Sequence, residues 1–278
     1  MKTKIIIDST TNVKPSLADR FEIVPLTVHF GDEEYTDGVT IDHTGFYKKL
    51  ENSEVMPTTS QPTPDAYIDA YRKATADGSK AVVITVASNL SGTYQSATIA
   101  AEDFEGKIFV VDSETVTIGA GILAEIAITM AEEGKSAEDI AQQLNILKKK
   151  VKIFAVLDTL EYLKRGGRVS RTVALAGGML NIKPVALIEN GEIKMAGKAR
   201  GTKLGNAVML QQISGTGGID YSKPFLLGYT GVTDELLREF LADNSQYFNG
   251  NPIHRSFVGS VVGTHAGPGA IAVAFFAK

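Results

Sequence analysis

The 278-residue sequence contains no cysteine, and this absence excludes disulfide bonds, thiol catalysis and cysteine-ligated metal sites. Positive charge is not in excess, since 28 Lys and Arg residues stand against 32 Asp and Glu residues. The net charge of -4 argues against nucleic acid as the main partner, because phosphate binding depends on a basic surface. A cysteine-free chain fits the cytoplasm, and we expect a cytoplasmic protein.

Long apolar runs are also missing. The least polar stretch, residues 119–131, is interrupted by Glu125 and is shorter than the roughly 20 apolar residues that a membrane span requires. Near the amino terminus, the apolar run 5–7 is followed directly by Asp8, which is unlike a secretory signal peptide. We therefore expect no stable membrane insertion.

Sequence motifs of common chemistries are absent as well. The chain has no phosphate-binding G-x-x-x-x-G-K-[ST] loop and no G-x-S-x-G nucleophile elbow. The glycine-rich run 215–218 does not follow a predicted strand, as a dinucleotide-binding loop would. The acidic segments 8–10 and 112–114 have no histidine or second carboxylate at a spacing typical of metal ligands. We expect no cofactor, no metal and no catalytic residues.

The first half of the chain alternates short apolar runs with helical patterns. Runs rich in β-branched residues predict buried strands at residues 5–7, 81–86, 107–111 and 151–157. Helical spacing occurs between them, at residues 65–76, 93–104, 119–133 and 137–150. This alternation predicts an α/β fold with a parallel sheet, whose ligands bind at the carboxyl ends of the strands.

The pattern changes after about residue 158. Asn190-Gly191 separates two apolar runs and predicts a hairpin of residues 184–189 with 192–199. Further strands are predicted at 224–229, 254–262 and 270–276, and further helices at 202–213 and 234–241. We therefore predict two domains, an N-terminal parallel-sheet α/β domain at residues 1–158 and a C-terminal α+β domain at residues 159–278.

Three hydroxyl-rich turns stand beside these apolar elements. They are residues 57–62 (PTTSQP), 88–93 (SNLSGT) and 263–269 (GTHAGPG). Together they offer neutral hydrogen-bond donors to an anionic head group, without paired carboxylates or an activated nucleophile. The sequence thus predicts binding of a small acid and not its chemical conversion.

Each turn contributes candidate binding residues. Ser91 precedes a predicted helix, where free N–H groups and the helix dipole favour an anion, but it also fits a plain N-cap. Thr59 and Ser60 lie on a loop stiffened by two prolines, which suits binding and equally suits a solvated turn. His265, at a predicted strand end, is either a hydrogen-bond donor to the ligand or a satisfied residue of a hairpin corner.

Cationic residues cluster shortly after residue 158, and one further arginine stands alone later in the chain. We interpret the cluster as a solvated loop, a phosphate clamp or a docking face for an acidic partner. Its members are Lys164, Arg165, Arg168 and Arg171, and the lone case is Arg200.

Taken in order, the motifs resemble the DegV family of bacterial fatty-acid-binding proteins. The resemblance spans the whole chain through segments 7–10 (IDST), 24–26 (VPL), 35–38 (YTDG), 58–62 (TTSQP), 91–97 (SGTYQSA), 160–168 (LEYLKRGGR) and 263–269 (GTHAGPG). Each motif alone is modest, and their common order makes the match specific.

The resemblance implies two α/β domains with one long-chain fatty acid in a buried tunnel between them. By match to the family's motifs, Thr59 and Ser91 would hold the carboxylate, with His265 close to it and Ser60 as a further neighbour. In some members the acid is presented to a separate ATP-dependent fatty acid kinase, which forms an acyl phosphate for phospholipid synthesis. The partner face, or the site of that phosphate, would then include Arg165, Arg168 and Arg200.

Two other functions stay open from the residues themselves. A serine hydrolase could pair Ser91 with His265, although the sequence indicates no third member of a triad. A regulator that binds phosphorylated metabolites could use the arginines Arg165, Arg168 and Arg200.

Overall fold

The computed structural model of the protein describes residues 2–169 and 181–278, so Arg171 of the cationic cluster lies outside the described residues. The strands of this part of the chain are β1 Thr3–Asp8, β2 Glu22–Val24, β3 Thr27–Phe30, β4 Glu33–Thr36, β5 Thr58–Ser60, β6 Lys80–Thr85, β7 Ile108–Asp112, β8 Val151–Val156, β9 Ile182–Glu189, β10 Glu192–Arg200, β11 Leu226–Tyr229, β12 Arg255–Phe257 and β13 Ile271–Phe276. The helices are α1 His43–Asn52, α2 Pro64–Thr75, α3 Thr93–Ala101, α4 Thr117–Glu132, α5 Ala137–Leu147, α6 Glu161–Arg165, α7 Thr202–Gly215, α8 Glu235–Asn244 and α9 Ser260–Ala266.

The first sheet is parallel, with strand order β2-β1-β6-β7, and it confirms the α/β prediction. Its strands are apolar on both faces because helices cover both. Alternate residues such as Ile6 and Val83 pack with Tyr67 and Tyr71 of α2, together with residues of α3. The intervening residues, Ile5 among them, pack in the larger core with α4 and α5.

The second sheet is mixed, with strand order β10-β9-β8-β13-β11-β12, and all its pairs are antiparallel except β11 with β12. The predicted hairpin is confirmed as β9 and β10 around Asn190-Gly191. In contrast, β8 was expected as a fourth strand of the parallel sheet and lies here, antiparallel to both β9 and β13. A continuous apolar run looks the same in either sheet, so its composition could not assign it. The division into domains at residue 158 stays a prediction.

A third, small antiparallel sheet with order β4-β3-β5 stands beside the other two. Segment 58–60, expected as a loop, is strand β5 and pairs with β3. The strand predicted at 254–262 is only the short β12, because the chain turns at Gly259 and continues as helix α9. The β-branched pair Val261 and Val262 favoured strand locally, but tertiary packing of α9 against α1 and α6 overrides that preference.

Across residues 2–169 and 181–278, no helix is both long enough and apolar enough to cross a membrane.

Candidate functional site

A cavity of about 400 Å³ lies between the carboxyl ends of the parallel strands, one face of the second sheet, strand β5 and helix α9. This volume falls within the range of roughly 300–1,000 Å³ that is usual for small-molecule sites. Most of the wall is apolar, with side chains from β8, β9, β10, α6 and α9 and from the residues just after β8 and just before α4. They include Ile153, Leu157, Leu163, Ile188, Ile193 and Val261.

The floor of the cavity is a row of small residues across four strands of the second sheet. Ala186 pairs with Ala155, Ala155 with Ala272, and Ala272 with Gly228. Three strand spacings of about 4.8 Å make this row about 14 Å long. The next row of the same face carries larger side chains, since Ile153 pairs with Ile188. The small row therefore forms a shallow apolar channel that runs across the strands.

Polar side chains gather at one part of the wall. The cavity lining there includes Thr59, Ser60, Gln61, Ser91, Arg168 and His265. Thr59 Oγ1 and His265 Nε2 are hydrogen-bonded at 2.9 Å, across the boundary between β5 and α9. The structure thus brings all four predicted head-group residues, from three separate turns, to the wall of one cavity.

The His265 imidazole is neutral at physiological pH. Burial lowers the pKa of His265, and the nearby positive charge of Arg168 lowers it further, to about 4. A neutral imidazole has one N–H donor and one acceptor nitrogen, and the tautomer is set by the partners of the two nitrogens. Nε2 faces Thr59, whereas Nδ1 is buried without a hydrogen-bond partner among the described residues.

Two glycines let neighbouring elements approach α9 closely. Gly166, at the end of α6, has an ordinary helical φ of -70°, so its backbone conformation does not require glycine. A Cβ at this position would lie 2.1 Å from His265 Nδ1, and the backbone therefore packs directly on the imidazole ring. Within α9 itself, a Cβ at Gly263 would lie 2.5 Å from the hydroxyl of Tyr47. The ring of His265 is held between the backbone of Gly166 on one side and the hydroxyl of Thr59 on the other.

Ser91 lies just before α3, as expected, although the N-cap position itself is Gly92. The Ser91 hydroxyl is 2.8 Å from Thr93 Oγ1 and accepts a 3.4 Å hydrogen bond from the Thr93 backbone N–H. Ser60 lies at the exposed edge of the site, where its hydroxyl is 2.9 Å from His29 Nε2. Both residues line the cavity, Ser91 just before α3 and Ser60 at the exposed rim.

The three predicted arginines occupy different environments. Arg168 donates from Nε to the Leu90 carbonyl at 3.2 Å and from Nη1 to the Gly166 carbonyl at 2.5 Å, and its side chain lines the cavity. Arg165 is exposed and forms an ion pair with Glu161 at 2.6 Å. Arg200 is exposed at the end of β10, and neither Arg165 nor Arg200 lines the cavity.

Ser91 and His265, the hydrolytic pair that the sequence leaves open, both line the cavity, and no hydrogen bond joins them. The hydroxyl of Ser91 contacts Thr93, and the imidazole of His265 contacts Thr59. Among the described residues, no group of three or more His, Asp or Glu side chains is arranged to hold a metal ion. The polar wall can donate and accept hydrogen bonds and carries the positive charge of Arg168, which suits recognition of a carboxylate.

A family model described as "Uncharacterised protein, DegV family" matches residues 2–278. The chain belongs to the DegV family. A DegV domain-containing protein of Caldanaerobacter subterraneus is 35% identical over 280 residues, covering 100% of this chain and 99% of that relative.

Solved structures share this DegV fold over its full length. One, described as "Fatty Acid Binding of a DegV family Protein from Thermus thermophilus", has a TM-score of 0.89 and 29% identity, covering 100% of both chains. Another, the Streptococcus pneumoniae Fatty Acid Kinase B3 protein loaded with linoleic acid, has a TM-score of 0.86 and 23% identity, again covering 100% of both chains.

Two features of this DegV site add to what the sequence predicts. Arg168, expected at a partner or phosphate face, lines the cavity, and its positive charge lowers the pKa of His265; its place at a partner or phosphate face stays a prediction. The close approach of Gly166 to His265 is not predicted from the sequence, because a glycine needed for close approach leaves no local pattern when its φ is ordinary. The basic, glycine-rich segment 160–168 was the signal that marked both residues.

Proposed function

We propose that this DegV protein binds one long-chain fatty acid, with the tail in the cavity and the carboxylate at its polar wall. The observation that carries the proposal is the cavity itself, which joins a long apolar floor to a cluster of hydroxyl and imidazole groups. The binding of a fatty acid by the Thermus thermophilus protein of the same family supports it.

The energetics of a fatty acid fit such a site. Burial of roughly 14 methylenes at about 0.8 kcal/mol each gives about 11 kcal/mol before costs. The loss of translational, rotational and conformational freedom on binding costs several kcal/mol, and each neutral hydrogen bond contributes about 1 kcal/mol. The tail therefore supplies most of the affinity. The polar groups decide the orientation, because a carboxylate buried without partners is costly.

Thr59, Ser91 and His265 are the residues that would hold the carboxylate, with Ser60 at the rim. The hydroxyls of Thr59 and Ser91 would donate to the carboxylate, and the Nε2–H of neutral His265 would donate to Thr59 Oγ1 and orient that hydroxyl. Arg168 adds a positive charge beside them. Arg168 donates to the backbone carbonyls of Leu90 and Gly166, and it therefore also ties the Ser91 loop to the end of α6.

We further propose that the protein is a carrier and not an enzyme, and that it presents the carboxylate to a separate ATP-dependent fatty acid kinase. The exposed Arg165 and Arg200 would then belong to the partner face. Resemblance to DegV members that serve such a kinase supports this step, and so does the kinase B3 protein of Streptococcus pneumoniae, which has the same fold.

Acyl profiling of the purified protein tests the proposal. Protein isolated from bacterial cells is denatured and its extract analysed by mass spectrometry, and delipidated protein is then titrated with hexadecanoic acid. We expect a co-purified fatty acid in about equimolar amount and saturable binding at one site. No acyl chain in the extract, together with no binding of added acid, would refute the proposal.

A fluorophosphonate probe and a kinase assay test the remaining parts. A carrier is not labelled at Ser91, and it supports formation of acyl phosphate only when kinase and ATP are added. Labelling that disappears in Ser91→Ala would show a serine hydrolase instead. Thermal stabilisation by phosphorylated metabolites, without stabilisation by fatty acids, would show a phosphometabolite-binding regulator.

A further inference from the structure

Three motif segments not described so far, 7–10, 24–26 and 35–38, meet beneath the start of α9. The Ser9 N–H donates to the Val24 carbonyl at 3.1 Å, and the Leu26 N–H donates to Ser9 Oγ at 3.0 Å. The Asp37 N–H in turn donates to the Leu26 carbonyl at 3.0 Å. These bonds fix the position of Asp37 relative to the end of β1.

The side chain of Asp37 reaches the first residue of α9. Its Oδ1 accepts a hydrogen bond from the Ser260 hydroxyl, across 223 residues of sequence. Both residues are buried, at 7% and 1% exposure. The preceding Gly259 N–H donates to Asn12 Oδ1 at 3.2 Å, and Thr117 Oγ1 donates to the same oxygen at 2.7 Å. The start of α9 is thus held by side chains from the amino-terminal part of the chain.

Helix α9 connects this junction to the head-group site. Ser260 begins the helix, and His265 lies five positions later in its last turn. At about 1.5 Å per residue, the two are about 7.5 Å apart along the axis. Thr264 Oγ1 donates to the Ser260 carbonyl at 3.0 Å, which reinforces the single turn between them. A shift or rotation at Ser260 therefore displaces His265 from Thr59.

A carboxyl group in this place is not needed for packing alone. Burial raises the pKa of Asp37, while hydrogen bonding from Ser260 opposes that rise. Asp8 is also buried nearby and adds like charge to the same region. Burial of a carboxyl group is costly, and an apolar residue would fill the space without that cost. A specific hydrogen-bond partner on α9 explains why the acid is there.

We propose that Asp37 is a positioning residue, which acts through Ser260 and helix α9 to hold His265 against Thr59 at the head-group end of the cavity. This inference rests on the proposed function, because it assigns Asp37 to the geometry of the carboxylate site.

A double-mutant cycle on fatty-acid affinity tests the proposal. Ser260→Ala removes the hydroxyl that Asp37 holds, and its effect on the dissociation constant for hexadecanoic acid is measured with His265 present and in a His265→Ala background. We expect about fivefold weaker binding in the first case, the size of one lost hydrogen bond, and less than twofold in the second. Asp37→Asn should show the same dependence on His265.

Ser256→Ala is the matched control. Ser256 is a buried serine four positions earlier, and its hydroxyl donates to the Val13 carbonyl at 2.8 Å and not to a residue of α9. Its effect on affinity should be the same in both backgrounds. Equal effects of Ser260→Ala in both backgrounds would overturn the proposal, since loss of general stability alone does not depend on His265.

The ring of His265 provides a readout that needs no ligand. NMR of ligand-free protein should show a shift of the His265 ring signals in Ser260→Ala but not in Ser256→Ala. An unmoved His265 ring in Ser260→Ala would contradict the positioning role even if the fold is intact. If the wild type binds no fatty acid, the proposed function fails, and this NMR comparison still decides whether Asp37 positions His265.

Discussion

Thr59 Oγ1 and His265 Nε2 lie 2.9 Å apart, although 206 positions separate the two residues in the chain. Strand β5 carries the threonine and the last turn of α9 carries the histidine. A hydroxyl and a neutral imidazole can each donate or accept, so the pair can reorient its protons when a carboxylate arrives. This contact lies in the polar part of the cavity wall and links the small third sheet to α9.

Replacement of Thr59 by valine should weaken fatty-acid binding. Thr59→Val keeps the shape of the side chain but removes the hydroxyl that contacts His265. With one hydrogen bond of about 1 kcal/mol lost, we expect about fivefold lower affinity, and a further loss when Ser91→Ala is added. Isothermal titration with hexadecanoic acid measures both effects.

The control for this prediction is Thr58→Val, in the adjacent position of β5. Thr58 is exposed and does not line the cavity. It should leave the affinity unchanged. Affinity that stays at the wild-type level in Thr59→Val combined with Ser91→Ala would contradict the assignment of the carboxylate site.

The charge of His265 should respond to both pH and ligand. Burial and the charge of Arg168 lower its pKa to about 4, so the ring of ligand-free protein should stay neutral down to that pH. A bound carboxylate places negative charge beside the ring and should raise the pKa of His265, whereas Arg168→Gln should raise it without ligand. NMR titration of the ring measures each shift, and a ligand-free pKa near 6.5 would contradict the burial of this site.

The same pKa predicts a pH dependence of stability. A histidine of the unfolded chain protonates near pH 6.5, so the contribution of neutral His265 to the free energy of unfolding is fully present above that pH. This contribution is lost as the pH falls toward 4, because the unfolded chain then binds a proton that the folded protein does not. Asp8 has the opposite effect on stability. Burial raises its pKa from 3.8 to about 6, so its contribution to the free energy of unfolding is lost as the pH rises through that range. The measurement therefore compares the free energies of unfolding of wild type and His265→Asn between pH 4 and 7, and the difference between the two should shrink as the pH falls.

The sequence predicted the elements with strong periodicity and missed those that depend on distant partners. Helix α7 was expected at 202–213 and runs over Thr202–Gly215, and the hairpin at Asn190-Gly191 formed as its turn signal indicates. Local sequence patterns are sufficient to predict these two elements. Strand β8 and helix α9 were misassigned because their placement depends on β13, α1 and α6, which no local pattern encodes.

The prediction of the site residues depends on sequence motifs more than on physical chemistry. Hydroxyl-rich turns marked Thr59, Ser91 and His265, and the structure places them around one cavity. The cavity floor could not be anticipated. Nothing in the sequence distinguishes Ala155 and Ala272 from other buried alanines. They form part of the cavity floor because the strand register places both in one row with Gly228.

Gly166 should not tolerate a methyl group. In Gly166→Ala, the Cβ would lie 2.1 Å from His265 Nδ1, so either α6 or the imidazole must move. We expect lower affinity for hexadecanoic acid and a lower melting temperature. Gly215→Ala is the matched control, because Gly215 is also helical and a Cβ there meets nothing within 4 Å. The free energy of unfolding of that control should not fall, because alanine is favoured over glycine at helical positions. Equal behaviour of the two variants would refute the packing of Gly166 on His265.

The cavity floor should determine which acyl chains fit. Ala272→Val adds two methyl groups to the small row and narrows the channel between Ala155 and Gly228. We expect a shift of preference toward shorter acids, measured as dissociation constants for a series of saturated acids. Ala274→Val is the control, since Ala274 is buried on the same strand and face but does not line the cavity. It should lower stability through overpacking by about 1–3 kcal/mol without changing the order of preference. An unchanged order in Ala272→Val would place the acyl chain elsewhere.

Arg200 and Arg168 should separate partner recognition from ligand binding. Arg200 is exposed and outside the cavity lining, so Arg200→Glu should leave the affinity for hexadecanoic acid unchanged and lower the rate of acyl-phosphate formation by an added fatty acid kinase. A charge reversal at a docking face acts mainly on the rate of association, and its effect should weaken at high salt.

Arg168→Gln should reduce both the affinity for the fatty acid and its phosphorylation, because Arg168 lines the cavity and tethers the Ser91 loop through the Leu90 carbonyl. Direct binding assays and a coupled phosphorylation assay on the same preparations measure the two effects. Loss of fatty-acid binding in Arg200→Glu would contradict its place outside the site, and normal phosphorylation in that variant would exclude Arg200 from the partner face.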